Sequence, residues 1–311
     1  MRESSAQLLA KYEIRKSTMQ KTIFIEHVQD ICATLDFPCE VETGGLFKSR
    51  NIVVGNLQTA KTVFTAHYDT QPVLPFPNFI APQNFIVLVL YNVLVAFIFF
   101  AVAGVATVLS SFLFDSFIVV SIIPSLTLLL LIYQMFFGIA NKHTANDNTS
   151  GCATLFAIME DLPLADREKV AFVFFDHEEI GLVGSSVFRK KHGGLMNSKL
   201  LVNLDCVSDG EHLMLISKKP AQGTPLEGIL TACLQEQAEK RGMQYVYARS
   251  QNTFYPSDQA VFQNACAIAA FNKHPVVGYY LSRIHTPKDT VFEERNIECI
   301  ANAAVMYVGK I

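Results

Sequence analysis

The hydrophobic positions of this chain follow two different patterns. Over most of its length they come in short bursts. Phe24, Val28, Ile31 and Leu35 recur at helical spacing and predict a long amphipathic helix within residues 1–35. Asn51–Val54 and Lys61–Thr65 read as strands around the turn Gly55-Asn56. Gly151–Asp161 reads as a helix with Thr149 or Ser150 as its cap. Val170–Phe175 is an unbroken apolar run bounded by charge, the mark of a central strand buried on both faces, and Leu200–Leu204 is another. Leu226–Lys240 reads as a helix, Ala265–Phe271 as a strand and Ile297–Val308 as a closing helix. Strands alternating with helices predict an α/β fold, a mixed and mostly parallel sheet sandwiched by helices. Ligands of such sheets sit at the carboxyl ends of the strands.

The second pattern interrupts the first. Between Thr70 and Asn141 the only formal charge is Asp115. Phe85–Leu109 and Phe117–Gly138 are apolar almost throughout, with a short joint at Ser110–Ser116. Each run exceeds the roughly 20 residues a helix needs to cross a bilayer core. Two such runs in succession predict a transmembrane hairpin over residues 84–138. Residues 1–83 and 139–311 are then one discontinuous globular domain. The alternative, a pair of buried core helices, requires apolar surroundings on every face, which few domains of this size supply. Tyr91 and Tyr133 are expected nearer the interfaces, and Pro124 is tolerable in a membrane helix. The polar segment Met1–Gln20 has no apolar stretch of the kind a signal peptide carries.

Charge sets the orientation. The hairpin tip carries no Lys or Arg, while Lys142 follows the second apolar run and every other cation lies outside the hairpin. The positive-inside rule places the globular domain and both termini in the cytoplasm. The seven cysteines stand singly with no CxxC pair, consistent with a reducing compartment and against a disulfide scaffold or a cysteine zinc finger. Half of the residues are hydrophobic and 17% are charged, which excludes a disordered chain. A net charge of −3 gives no basic field, so nucleic acid is not an expected partner.

The carboxylates and imidazoles gather at the predicted strand ends. Lys61–Thr65 leads into Ala66-His67-Tyr68-Asp69. Asn146-Asp147-Asn148 precedes the helix at Gly151. Val170–Phe175 leads into Asp176-His177-Glu178-Glu179, and Leu200–Leu204 into Asp205. Ile284-His285-Thr286-Pro287 follows near the C-terminus. Any one of these pieces is commonplace on a protein surface. Together they supply nitrogen and oxygen ligands suited to borderline or hard divalent ions rather than to copper or iron–sulfur centres.

In this order the residues resemble the zinc-dependent, aminopeptidase-like exopeptidases of the M28 type. The resemblance covers roughly residues 49–71 and 139–311. It implies a zinc-exopeptidase fold with two Zn2+ ions at the strand ends, Co2+ or Mn2+ being alternatives. By that resemblance His67 binds one ion and His285 the other, and Asp147 bridges both. Glu179 completes the site of His285, and Asp205 that of His67. Glu178 is the implied general base, and Asp69 orients the His67 imidazole. Tyr255, beside Ser257-Asp258, is a candidate oxyanion donor, because the family often uses a Tyr from this region; here its register is offset.

These types suit the chemistry. Two ions about 3.5–4 Å apart need a bridging carboxylate, polarise a scissile carbonyl and acidify a water. A glutamate takes that water's proton and passes it to the leaving amine. An aspartate accepting the imidazole N–H fixes the tautomer of His67. Glu178 and Glu179 divide their roles, on this reading, because neighbours on extended backbone point apart. The implied activity is that of a membrane-anchored aminopeptidase. Glutaminyl cyclisation and N-acyl amino acid hydrolysis are alternatives on the same fold, the first disfavoured by the absence of Trp. A catalytically inactive receptor or scaffold is a further alternative, at odds with a complete ligand set. The hairpin separates His67 from Asp147, which brings the site to the membrane surface. The apolar segment Pro72–Pro77 is expected to line the entrance and meet lipid headgroups. Expected partners are a peptide or acylated amino acid substrate and membrane lipid. Gly104 among small residues offers a face for a homo-oligomer.

Overall fold

A computed structural model gives the fold and describes residues 1–74 and 76–311; Pro75, within the expected entrance segment, lies outside the described residues. The strands are β1 (Cys39–Gly44), β2 (Ser49–Gly55), β3 (Thr62–His67), β4 (Val170–Phe175), β5 (Leu200–Leu204), β6 (His212–Ser217), β7 (Gln244–Arg249), β8 (Ala265–His274) and β9 (Gly278–Tyr280). The α-helices are α1 (Glu3–Lys11), α2 (Thr18–Thr34), α3 (Phe85–Leu113), α4 (Phe117–Phe137), α5 (Gly151–Asp161), α6 (Val183–Met196), α7 (Pro225–Lys240) and α8 (Glu294–Lys310).

The strands form one mixed sheet in the order β1-β2-β4-β3-β5-β8-β6-β7, with β9 paired to β8. Its centre, β4-β3-β5-β8, is parallel. β4 shows why an unbroken apolar run belongs there. Val170, Phe172 and Phe174 enter the core beneath α5 and α8, while Ala171, Val173 and Phe175 enter the opposite core with Phe188 of α6. Each fully buried large side chain contributes about 1.5–3 kcal/mol of transfer free energy.

The N-terminal helix of the sequence reading is two helices. α2 carries the predicted stripe and starts at a capping box between Ser17 and Gln20. The loop before it is pinned to the sheet by Arg15, a fully buried guanidinium that donates to the Tyr68 and Tyr12 carbonyls and to Thr149 Oγ1. Neither Thr149 nor Ser150 caps α5. Ser150 is already helical and its hydroxyl donates to the Asn146 carbonyl, while Asn148 Oδ1 accepts the Gly151 N–H at 3.0 Å.

α3 and α4 are 29 and 21 residues long and apolar enough to cross a membrane, and their most apolar stretches are not buried by the rest of the chain. Helix α3 runs into the expected joint as far as Leu113, leaving only Phe114–Ser116 between the two. Pro124 is inside α4. The roots of the pair are tied to the sheet's loops. Pro72 bridges Ala140, Ile80 bridges Leu281, and Asn84 Nδ2 donates to the Val277 carbonyl at 3.1 Å.

Candidate metal centre

Three strands of the buried centre of the sheet deliver candidate site residues at their ends. β3 ends at His67, β4 leads to Glu178 and Glu179, and β5 leads to Asp205. Asp147 lies in an irregular turn before α5, and His285 in the loop between β9 and α8. Asp147 stands at the centre. Its Oδ1 is 3.2 Å from His67 Nε2, and its Oδ2 is 3.0 Å from His285 Nε2. Asp205 Oδ1 is 3.6 Å from the first imidazole, and Glu179 Oε2 is 3.5 Å from the second. Two ligand sets therefore share one carboxylate: His67–Asp147–Asp205 and Asp147–Glu179–His285. A third group, His67 with Glu178 and Glu179, sits beside them.

The paired glutamates do not lie on extended backbone, as the sequence reading expected. The chain turns at once after β4, with His177 in the left-handed region. Asp69 holds that turn, its carboxylate accepting the N–H groups of Glu178 at 2.9 Å and Glu179 at 3.2 Å. Its Oδ1 is also 3.5 Å from His67 Nδ1, too long for a hydrogen bond in this structure, so Nδ1 is a buried donor position without a partner.

The turn carrying Asp147 is stitched on three sides by residues the sequence reading missed. Asn146 Oδ1 accepts the N–H groups of Ser208 and Asp209. Asn148 Nδ2 donates to the Leu204 carbonyl. The Asp289 carboxylate accepts the N–H groups of Asn146 at 2.8 Å and Asp147 at 3.0 Å. The loops of Asp205, Asp147 and His285 are thus tied to one another. Asp289 lies four residues beyond His285, and an acid so close to a candidate ligand was a signal within reach.

Tyr255 does not reach the cluster as a free donor. It is buried edge-on against Phe271, and its hydroxyl donates to the Asp205 carbonyl at 3.1 Å. In this structure it supports the Asp205 loop. The Cys206 thiol is buried, is held well above the usual thiol range by burial and by Asp147 and Asp205, and donates to Asp205 Oδ1. Buried and held in the thiol form, it has the environment of a packed side chain rather than of an activated thiolate. His177 bonds Ser49 Oγ, outside the ligand sets.

Asp69, Asp147, Glu178, Glu179 and Asp205 set five carboxyl groups against two imidazoles. Burial and the neighbouring acids push the Glu178 and Glu179 carboxyls well above the usual range. Burial opposes ionisation of Asp147 as well, but the hydrogen bonds from His285 and His67 outweigh it and hold that carboxyl low. Such crowding of negative charge is the environment a divalent cation relieves. A set of imidazoles and carboxylates without a thiolate ligand suits zinc, cobalt or manganese. The residues fit the metal that the fold implies.

A comparison with curated proteins finds no match. Among solved structures, Porphyromonas gingivalis glutaminyl cyclase superposes with a TM-score of 0.62 at 14% identity, over 99% of this chain and 96% of that one. Legionella pneumophila LapA aminopeptidase gives 0.58 at 13% identity, over 98% and 69%. Fimbriiglobus ruber glutaminyl cyclase gives 0.59 at 16% identity, over 98% and 93%. At these identities the likeness is one of fold. The family model for peptidase family M28 matches residues 130–308, more than half of the chain, and that stretch includes Asp147, Glu178, Glu179, Asp205 and His285. The chain belongs to peptidase family M28.

Proposed function

We propose that this protein is a membrane-anchored dinuclear zinc aminopeptidase. The observation that carries the reading is Asp147, whose two oxygens each face a different imidazole at 3.2 and 3.0 Å. A single site would use one oxygen and leave the other to solvent or to a hydrogen-bond donor. Ions held there would supply Lewis-acid polarisation of the scissile carbonyl. The protein's own residues do the rest. Glu178, at the mouth of the cluster, takes a proton from the attacking water and delivers it to the leaving amine, and burial favours the proton-holding form it needs in between. Asp69 fixes the turn that presents Glu178. α3 and α4 anchor the domain in a bilayer, with the termini and the catalytic part on the cytoplasmic side.

The test is a set of matched peptides with free and acetylated N-termini, incubated with detergent-purified protein and zinc, with Glu178→Gln as control. Residue-by-residue shortening of the free peptides alone is expected, with the variant slower by about 10²–10⁴ at unchanged metal content. No cleavage of either peptide overturns the peptidase reading. A second reading has a specific observation in its favour: two of the solved structures that share the fold are glutaminyl cyclases. One tightly bound zinc per chain, with release of ammonia from a peptide beginning in Gln, would favour that reading.

A further inference from the structure

We infer that the junction between α3 and the catalytic domain is a binding site for an anionic phospholipid. The inference rests on the reading of α3 and α4 as a bilayer hairpin, and it does not depend on the reaction. A cavity of about 400 Å³ lies between one face of α3 and the segments around Pro77 and Ser282. The helix contributes Tyr91, Leu94, Val95 and Ile98, at the spacing of a single helical face. Tyr91 to Ile98 spans about 10 Å of helix, an apolar wall long enough for part of an acyl chain. Opposite that wall stand two cations, Arg283 and Lys288.

The walls are fixed. The Tyr91 hydroxyl donates to the Pro77 carbonyl at 3.0 Å and lies 3.2 Å from Asn78 Oδ1. Phe76 packs edge-on against Phe99 with ring centroids 6.0 Å apart. Arg283 is paired through Nη1 with Asp209 at 2.6 Å, and its side chain is 43% exposed. Lys288 is exposed, and no ion pair among the described residues includes it. Its ammonium is therefore available to a ligand.

An apolar groove beside a proposed membrane helix, lined also by a guanidinium and an uncommitted ammonium, matches a lipid in both halves. The chain lies against Leu94, Val95 and Ile98, and the phosphate meets Lys288 and Arg283. Arg283 is already paired with Asp209, but a neutral lipid would leave the ammonium of Lys288 without a net charge to answer. A second cavity of about 280 Å³ shares Phe76, Pro77, Ser282 and Lys288 with the first and reaches Thr286, the neighbour of His285. The headgroup would thus rest on the loop that carries a candidate metal ligand.

The chain contains no Trp, so Leu94→Trp places a single indole in the groove. The variant is reconstituted in phosphatidylcholine vesicles with one-tenth of the lipid replaced by brominated phosphatidylglycerol or by brominated phosphatidylcholine. The anionic lipid is expected to quench as if enriched about fivefold for each cation engaged. Lys288→Gln in the same background should remove most of the preference, and Lys288→Arg should restore it. Native mass spectrometry of the unsubstituted chain, comparing retention of the two lipids, covers the outcome in which the indole fills the groove. Equal quenching and equal retention of the two lipids overturn the inference, as does a preference that survives Lys288→Gln combined with Arg283→Gln. If neither lipid quenches here or at Leu129→Trp on α4, the bilayer reading fails and takes this site with it.

Discussion

Asp147 is held in place through its backbone as much as through its oxygens. The Asp289 carboxylate takes two adjacent N–H groups of the turn, while the flanking Asn146 and Asn148 tie it to the Asp205 loop. Burial, with Asp147 and Asp209 nearby, pushes the Asp289 carboxyl well above the usual range. Its ionised form is the better acceptor, so a cation at the centre and the cap at Asp289 support one another. Asp289→Asn keeps the shape and weakens the acceptor. Metal affinity should fall about 10- to 100-fold, the usual loss when a residue supporting a ligand is changed, as read by chelator competition. An unchanged affinity would show that the turn holds itself. His67, Glu178, Glu179 and Asp205 were legible in the sequence because they follow the ends of buried strands, where strand length fixes position, and Asp147 and His285 through their place in the order of motifs. Arg15 was not, because it acts on backbone groups of distant loops, and no periodicity marks such a partner; Asp289 was marked only by its closeness to His285.

At the scale of elements, burial on both faces decided what was readable. β4 and β5 are buried on every residue, with Asn203 the one polar position between them, and were found. β1 alternates Glu40 and Glu42 with half-buried neighbours, and β7 is exposed at both ends, so neither carries a strong pattern. α2 was legible by its stripe, but the stripe concealed His27. That imidazole stacks on Tyr12 with ring centroids 4.2 Å apart, stands edge-on to Phe156 of α5 and has a buried Nε2 without a partner. Burial lowers its pKa, with Lys11 in the same sense and Asp30 against it. The unfolded chain therefore binds a proton at a pH where the folded chain does not. Stability contributed here is full above the unfolded value near 6.5 and falls as pH drops through it. Between about pH 7.5 and about pH 5.5 the parent should lose more melting temperature than His27→Phe, which preserves the ring packing without the titration. Equal losses would mean that α2 opens readily enough to hydrate the imidazole.

The whole molecule is one sheet enzyme with two apolar helices set into a loop between its first candidate ligand and its second. The sequence showed the interruption plainly, since a single charge in some seventy residues has few other readings. The topology that follows is testable. Asp115→Cys at the hairpin tip should react with an impermeant maleimide on intact cells. Lys219→Cys, exposed on the catalytic part, should react only after permeabilisation. Reaction of both, or the reverse order, would invert or abolish the proposed orientation.

The position of β3 has a consequence for how the protein is made. Its hydrogen-bonding neighbours are β4 and β5, and both lie C-terminal to the hairpin. A ribosome that has finished residues 1–83 has produced the strand with His67 at its tip but neither of the strands it will sit between. The nascent domain must wait, its central strand unpaired, until the two apolar helices have left the exit tunnel. In a chain anchored as proposed, membrane insertion comes ahead of sheet closure. No stretch of chain emerging before β5 can build a complete centre, so under that proposal the site is assembled beside a membrane that already holds the hairpin.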